Sequence, residues 1–419
     1  MQKTNTIHSN EVLAERPGYK NTRLGWIPND WDVRKLGDLC TIKGEYGINA
    51  ASVEYSELLP TYLRITDIDD NGHFKKDNKT SVDNDDHNKY LLKNGDIVFA
   101  RTGATVGKTY LYDTCDGELV FAGFLIRFRP NENELIPKYL RLYTDSDQYW
   151  NWVRINSMRS GQPGINGREY SSLPVPLPTI IEQKVITRCL NTWDTAITKL
   201  GKLIKARQKR KKALMQQLLT GKKRLPGFYG EWEKLRLGDV TNFFSRRNKE
   251  LIEARVYSVT NYDGFVYQSD HFSRELVGDD LASYKIIKKN EFAYNPARIN
   301  VGSIAFFEDE IGIISSLYVC FSTNEKMTDD YLRYFIQLEK TQFDFNRYGE
   351  GGVRIYLWYP LFASIKVEVP PIIEQKAISN VLLAADKEIQ LLQEQLKQLE
   401  LQKKGMMQQL LTGKKRLKD

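Results

Sequence analysis

The chain has 419 residues, of which 41% are hydrophobic and 27% charged, a composition typical of a folded protein with room for two or three domains. Its net charge of +8 favours a polyanionic partner without identifying one. The four cysteines and four histidines have no metal-ligand or redox spacing and no apolar run approaches about 18 residues, so we expect a cytoplasmic protein without a metal centre, signal peptide or membrane span.

Short strands and helices are predicted in the first half of the chain, after a polar N-terminal extension. Strands surround a Gly-rich turn in IVFARTGATV (97–106), KTYLYDT (108–114) and LVFAGFLIRFRP (119–130). Helix is predicted over 136–153, followed by the Gly-rich stretch SGQPGINGREY (160–170). The motif GATVGKT (103–109) resembles a phosphate-binding loop, but it is one residue short between its glycines and the next residues predict a strand, so nucleotide binding is not expected.

A long helix is predicted next, and then the whole arrangement repeats. The phrase MQQLLTGKKRL occurs at 215–225 and again at 407–417, and 25 of 48 aligned positions are identical between 178–225 and 370–417. Earlier in each half, WDVRKLGDL (31–39) is echoed by WEKLRLGDV (232–240). The offset between matching segments changes, as expected for two equivalent domains with loops of different length. The chain is therefore a tandem duplication.

Apolar residues in both predicted helices recur with the 3.5-residue period of a coiled coil. The helix-pair seam consists of Ile186, Leu190, Trp193, Ile197, Leu200, Ile204, Leu214, Leu218, Ile378, Leu382, Ala385, Ile389, Leu392, Leu396, Leu399, Met406 and Leu410. Thr179 and Glu182 have capping-box spacing, and Gly221 and Gly413 are placed for a left-handed helix end.

Charged residues interrupt the seam at Arg207, Lys211 and Lys403, and KLIKARQKRKK (202–212) has seven positive charges and no acid. Two interpretations remain open: a frayed, solvated helix end whose lysine stems cover apolar surface, or a basic collar that faces a partner or DNA.

The predicted fold is α+β: two similar globular domains separated by two long antiparallel helices that form a coiled coil with pseudo-two-fold symmetry. The predicted segments are an N-terminal extension (1–28), a first domain (29–178), a first helix (179–221), a second domain (222–370), a second helix (371–413) and a C-terminal tail (414–419).

The predicted loops of both halves contain side chains suited to base reading, because arginine pairs with guanine, and asparagine and glutamine pair with adenine. In the first half the candidates for DNA contact are Arg64, Arg101, Thr102, Lys108, Arg159, Gln162, Asn166 and Arg168. In the second half they are Arg246, Arg247, Tyr262, Asn295, Arg298, Asn300, Arg347 and Arg354. Each of these types is also common on ordinary surfaces. No catalytic motif is visible in the sequence, so no catalytic residue and no metal ligand is predicted.

Two variable halves, each opened by W-x-x-x-x-L-G-D and followed by a helix that begins near Ile-Ile-Glu-Gln-Lys and ends in QQLLTG, resemble the specificity subunit of a Type I restriction–modification system. The resemblance covers essentially the whole chain. It implies two target recognition domains, each reading one half of a bipartite site in double-stranded DNA. It also implies that the helices set the spacer and dock two modification (methyltransferase) subunits.

The resemblance further implies a non-catalytic subunit that functions in restriction and DNA methylation. S-adenosylmethionine, ATP and Mg are then expected on the partner subunits, which include restriction subunits with translocase and nuclease activity. Two alternatives stay open: a stand-alone DNA-bridging or architectural protein of the same fold, and a DNA-acting enzyme with an unrecognised site. Co-purification of a methyltransferase would count against the first, and catalysis by the purified chain would support the second.

Overall fold

The computed structural model describes residues 16–268, 281–351 and 355–417. The chain divides into two compact units, one formed by residues 1–199 with 396–419 and the other by residues 200–395. Each long helix contributes residues to both units.

The first unit combines short strands with short helices and parts of the two long ones. Its strands are β1 Tyr19–Thr22, β2 Gly25–Pro28, β3 Asp32–Lys35, β4 Cys40–Tyr46, β5 Val53–Glu54, β6 Thr61–Leu63, β7 Thr80–Ser81, β8 Ile97–Ala100, β9 Thr109–Leu111, β10 Leu119–Phe121, β11 Leu125–Pro130 and β12 Pro174–Leu177. Its short helices are α1 Pro137–Tyr143, α2 Asp147–Asn156 and α3 Gly167–Ser171, and the long helix α4 spans Ile180–Leu218.

Two four-stranded sheets dominate this unit. One has the antiparallel order β4-β11-β8-β9, and the other has the order β10-β6-β7-β5 with β10 parallel to β6. All four residues of strand β8 are buried. Successive side chains of a strand point to opposite sides, so β8 contributes to two different cores. Ile97 and Phe99 enter the core that α1, α2 and the long helices share, whereas Val98 and Ala100 enter a second core beneath the other sheet.

The second unit repeats this plan with different strand lengths. Its strands are β13 Glu233–Arg236, β14 Thr241–Phe244, β15 Val256–Val259, β16 Phe265–Tyr267, β17 Lys285–Lys288, β18 Glu291–Tyr294, β19 Ile304–Phe307, β20 Ile311–Ile314, β21 Val319–Thr323 and β22 Lys366–Val369. Its helices are α5 Leu237–Val240, α6 Asp329–Phe335, α7 Glu339–Tyr348 and α8 Tyr359–Ser364, followed by the long helix α9 Ile372–Leu411.

The sheet order β14-β21-β18-β19 is the counterpart of β4-β11-β8-β9, strand for strand. The alternation along β18 is also the same: Phe292 and Tyr294 face the core next to the helices, and Ala293 faces the other core. The α+β class predicted from the sequence is confirmed.

Within each unit the two long helices run antiparallel. In the first unit Lys403 pairs with Asp194 at 2.7 Å, and in the second Lys211 pairs with Asp386 at 2.5 Å. Lys211 and Lys403 hold equivalent positions in the repeat, as do the two aspartates. Both alternatives considered for the charged interruptions are therefore wrong for these lysines, because each is neutralised by the facing helix.

None of the predicted seam residues is exposed. Ile186, Leu190, Ile204, Leu218, Ile378, Leu382, Ile389 and Leu410 are buried, and the other members of the set are partly buried. Their assignment as one continuous seam remains a prediction.

The helix ends follow the predicted chemistry with one exception. Gly221 and Gly413 have φ values of 69° and 70°, the left-handed conformation expected after a helix. At the start of α4 the Glu182 amide donates to the Thr179 hydroxyl at 3.3 Å. The reciprocal bond of a capping box is replaced, because the Glu182 carboxylate binds Trp31 and Arg416 instead.

Candidate nucleic-acid interface

In the first unit, two segments distant in sequence are joined by backbone hydrogen bonds. Residues 101–108 follow β8, and residues 157–168 run from the end of α2 into the first two residues of α3. The Ile165 amide donates to the Arg101 carbonyl at 2.9 Å, and the Gly103 amide donates to the Pro163 carbonyl at 2.9 Å. This first loop pair (residues 101–108 and 157–168) brings together every DNA-contact candidate of the first half except Arg64.

The Arg101 side chain is positioned by an aromatic ring, and its guanidinium group remains available to a ligand. Its guanidinium lies over the ring of Tyr46, 4.9 Å from the ring centroid, and the Tyr46 hydroxyl accepts a hydrogen bond from the Gly167 amide at 2.9 Å. The side chain forms no ion pair within the described residues. Such a restrained cation loses little conformational entropy on binding, and its donors remain available to a base or a phosphate.

The other side chains of the first loop pair are partly engaged. The Asn166 carboxamide caps α3 by accepting the Glu169 amide at 2.9 Å, and Arg159 donates to both carboxylate oxygens of Glu169 at 2.6 and 2.7 Å. Gln162 and Arg168 are exposed and make no side-chain hydrogen bond in the part of the chain that is described. Thr102 is partly buried, and its carbonyl accepts a bond from Thr105.

Lys108 and Arg64 are engaged by carboxylates nearby. Lys108 donates to Asp70 at 2.6 Å, and this bond lowers the pKa of the exposed Asp70 carboxyl. Arg64 forms a two-pronged pair with Asp67 at 2.8 and 2.9 Å, which raises the pKa of its guanidinium. These two cations are therefore less available to a ligand than Arg101 or Arg168.

The second unit contains an equivalent pair of segments with different side chains. The Leu357 amide donates to the Pro296 carbonyl at 2.9 Å, the same bond that Ile165 and Arg101 make in the first unit. Asn300 donates to the Asn346 carboxamide oxygen at 2.9 Å. The second loop pair consists of two segments. One is residues 295–302, and the other is the described part of 346–357, namely residues 346–351 and 355–357.

Free cations also lie on the second loop pair. Arg298 and Arg347 are exposed, and neither has a side-chain partner among the residues described. Gly302 has a φ of 98°, and a Cβ there would lie 2.8 Å from the Asn261 carbonyl, so the turn that carries Tyr262 packs directly against this loop. Tyr262 is 94% exposed.

The remaining candidates of the second half lie elsewhere or are engaged. The Asn295 carboxamide oxygen accepts the Ala297 amide at 3.0 Å. Arg246 pairs with Glu291 and lies 4.1 Å over the Phe244 ring, whereas Arg247 is exposed beside β17. Arg354 lies outside the described residues.

Several residues at these loops were not predicted from the sequence. Tyr46 positions Arg101, Phe124 is 58% exposed with its carbonyl bound to the Arg101 amide, and Asn346 holds Asn300. The one available signal was the run GEYG (44–47), where glycines flank an aromatic residue.

The structure shows neither a metal cluster nor a membrane span in the ranges it covers. No three histidine, cysteine, aspartate or glutamate side chains in those ranges are grouped to hold a metal ion. No helix there is both long and apolar enough to cross a bilayer.

A second feature occurs once in each unit, at the start of a long helix. In the first unit the Glu182 carboxylate accepts bonds from Trp31 Nε1 at 2.9 Å and from Arg416 Nε at 2.6 Å. In the second, Glu374 accepts bonds from Trp232 Nε1 at 3.2 Å and from Arg224 Nε at 2.5 Å. We name these the first anchor (Trp31, Glu182, Arg416) and the second anchor (Trp232, Glu374, Arg224).

The glutamine that follows each anchor glutamate is also buried and fully bonded. The Gln183 carboxamide accepts the Ile136 amide at 2.9 Å and donates to the Glu134 and Pro178 carbonyls. Gln375 repeats this pattern with Thr328, Lys326 and Pro370. The Glu-Gln part of the repeated motif therefore has a structural role in each unit.

The isoleucine and lysine on either side of Glu-Gln face outward. Ile181 is 65% exposed and Ile373 is 74% exposed, and Lys184 and Lys376 are exposed beside them. Neither lysine has an ion-pair partner in the described ranges. Each unit thus presents the same pair of exposed side chains, one apolar and one cationic.

Known proteins resemble this chain in sequence over most of its length. Residues 28–208 and 229–401 match the family model of the type I restriction modification DNA specificity domain. The putative type I restriction enzyme MjaX specificity subunit of Methanocaldococcus jannaschii is 28% identical over 422 residues, covering 96% of this chain and 97% of the relative. The MjaVIII specificity subunit of the same organism is 23% identical, covering 94% and 95%.

Solved structures share the fold. The HsdS subunit of Thermoanaerobacter tengcongensis aligns with a TM-score of 0.52 at 16% identity, covering 92% of this chain and 98% of that one. The S subunit from M. genitalium aligns with a TM-score of 0.53 at 16% identity, covering 91% and 96%. Because the family model spans most of both halves, the chain belongs to the type I restriction modification DNA specificity family and is a specificity subunit of a type I restriction–modification system.

Proposed function

We propose that this subunit reads a bipartite site in double-stranded DNA, with the first loop pair reading one half and the second loop pair reading the other. The observation that carries the proposal is the backbone bond that occurs at equivalent places in the two units, Ile165 to Arg101 and Leu357 to Pro296, and that supports different side chains in each. A shared scaffold with different readers suits two unlike half-sites, since base edges are distinguished by the pattern of donors and acceptors.

The two long helices set the number of base pairs between the half-sites. At about 1.5 Å per residue, the 39 residues of α4 span about 58 Å, and α9 with 40 residues is nearly the same length. Both helices contribute to both units, so a change in helix length is expected to change the number of base pairs between the half-sites.

If helix length sets the spacer, lengthening both helices should add base pairs between the half-sites. Inserting seven residues into both helices, next to Leu200 and Leu396, preserves the seam period and adds about 10.5 Å, the rise of about three base pairs. Single-molecule sequencing of methylated DNA should then show unchanged half-sites with a spacer about three base pairs longer. An unchanged spacer in a stable, active variant would refute the ruler role.

The exposed isoleucine–lysine pairs dock two copies of one partner, the methyltransferase subunit. Ile181 with Lys184 and Ile373 with Lys376 are identical, whereas other exposed positions further along the helices differ: Lys199 corresponds to Leu391, and Lys209 to Leu401. Exposed lysines do recur at Lys205 and Lys397 and at Lys212 and Lys404, but none of them has an exposed isoleucine three residues before it. Identical exposed chemistry in both units suits two identical partners, each offering an apolar segment with acidic residues nearby.

Charge introduced at these positions should remove partners one at a time. We expect Ile181→Asp and Ile373→Asp each to reduce the bound methyltransferase from two copies to one, and the double variant to bind none, as measured by native mass spectrometry of co-expressed complexes. Leu391→Asp is the matched control, because Leu391 is 56% exposed but has no identical counterpart. A double variant that retains both copies would place docking elsewhere.

The chemical steps belong to the partner subunits in this proposal. Methyl transfer with S-adenosylmethionine lies on the two methyltransferase subunits, and DNA cleavage with ATP and Mg lies on restriction subunits that join the assembly in the cytoplasm. This division rests on family membership, and it predicts that the purified chain alone binds DNA without modifying it.

A further inference from the structure

The outward face of α4 in the second unit presents a row of cations. Lys202, Lys205, Lys209 and Lys212 recur at intervals of three and four residues, so they lie along one side of the helix, and all four are exposed. That side is opposite Ile204, which is buried. We call Lys202, Lys205, Lys209 and Lys212 the basic row.

Acidic residues neutralise only part of this charge. Of the seven cations in 202–212, Arg207 pairs with Glu388 at 2.7 Å, Lys211 with Asp386 at 2.5 Å and Lys212 with Glu339 at 2.7 Å. Lys202, Lys205, Lys209 and the neighbouring Arg210 have no carboxylate partner anywhere in the described ranges. Like charges at this spacing repel one another along a helix, and an anionic ligand would relieve that repulsion.

The equivalent face of α9 lacks this character. The residues that correspond to the basic row are Glu394, Lys397, Leu401 and Lys404, with a net charge of +1 instead of +4. The row is therefore a property of one helix. A surface that served two identical partners would be expected on both helices.

We infer that the basic row contacts the phosphate backbone of the bound duplex, a role that rests on the proposed function and adds a sequence-independent contact outside the two loop pairs. The row spans about 15 Å, which matches about four phosphates of one strand at about 3.4 Å each. Ala206 lies between Lys205 and Lys209, and Ala213 follows Lys212; both are exposed and too small to hinder close approach. Lysine is depleted at the centre of protein interfaces but binds phosphate well, which favours DNA over an acidic protein.

The test is the salt dependence of DNA binding. In the full chain we compare the wild type with Lys202→Gln/Lys205→Gln/Lys209→Gln by fluorescence anisotropy on a labelled 40-base-pair duplex of arbitrary sequence. Each phosphate contact contributes about 0.9 to the slope of log affinity against log salt, so the slope should fall by about 2.7. Between 50 and 200 mM salt, the wild type should then lose about 40-fold more affinity than the variant.

The matched control removes three exposed charges from the other helix. Lys387→Gln/Lys397→Gln/Lys404→Gln changes the net charge equally and should leave the slope at the wild-type value. An equal change of slope in the two triple variants, or no change in either, overturns the inference. It is also overturned if the Lys202 triple variant keeps the wild-type slope but binds the methyltransferase more weakly, since the row would then face a protein.

Failure of the proposed function has a different signature. Methylated-site mapping of the wild type would then show no bipartite site, whatever the salt slopes are. If only the phosphate role is wrong, the bipartite map remains and the slopes of the two triple variants agree.

Discussion

Replacing Arg101 by alanine is expected to relax base preference in one half of the target and to leave the other half unchanged. Arg101 is held over Tyr46 without an ion-pair partner in the described ranges, so its donors can form a two-pronged pair with guanine. A contact of this kind is worth about 1–3 kcal/mol of discrimination, about a 5- to 150-fold change in relative affinity. Methylated-site mapping of the assembled complex, and binding to duplexes substituted at single positions, would measure the change.

Arg298→Ala should relax the opposite half-site, because Arg298 lies on the second loop pair. Arg159→Ala is the control within the first loop pair, since both Glu169 oxygens already accept its donors. We expect this control to keep the target sequence. If Arg101→Ala and Arg298→Ala altered the same half-site, the assignment of one loop pair to each half would be wrong.

The second large effect is expected on stability. Glu374→Ala should lower the free energy of unfolding by about 3 kcal/mol, because removing one member of a buried ion pair leaves the other charge uncompensated. The Glu374 side chain is fully buried, and both Arg224 and Trp232 donate to it. Urea unfolding followed by circular dichroism, with tryptophan fluorescence to report on Trp232, would measure the loss.

Lys376→Ala, two residues further along α9, is the control, because Lys376 is exposed and without an ion pair in the described part of the chain. We expect it to unfold within about 0.5 kcal/mol of the wild type. Glu182→Ala should reproduce the large loss in the first unit, where Arg416 and Trp31 donate to that carboxylate. A Glu374→Ala variant as stable as its control would show that the anchor is not a stabilising element.

Short-range patterns made several features predictable. The strands in 97–130 and the helices α1 and α2 follow from alternation and periodicity over a few residues. The strands between residues 40 and 81 and the hairpin β1–β2 were not predicted, because each is only two to seven residues long and too short to show a clear alternating pattern. In that hairpin Tyr19 donates to the Gly413 carbonyl at 3.0 Å, a contact between residues 394 positions apart.

The candidate DNA residues illustrate the same limit. Composition identified Arg64, Arg101 and Arg159 as equivalent candidates, yet Arg64 and Arg159 are paired with carboxylates and Arg101 is not. Residue type reveals what a side chain is able to bind, whereas its neighbours determine whether it is already bound.

The sequence by itself determined the duplication, the two long helices and the places where those helices end. The repeats show the duplication, the helical periodicity shows the helices, and Gly221 and Gly413 mark the helix ends. Only the tertiary structure decided that Glu182 binds Arg416 instead of its own helix start, that Lys211 and Lys403 face aspartates, and which arginines stay free. Those outcomes depend on groups that meet only after folding, because the strength of a charge interaction is set by distance and burial, and neither is visible along the chain.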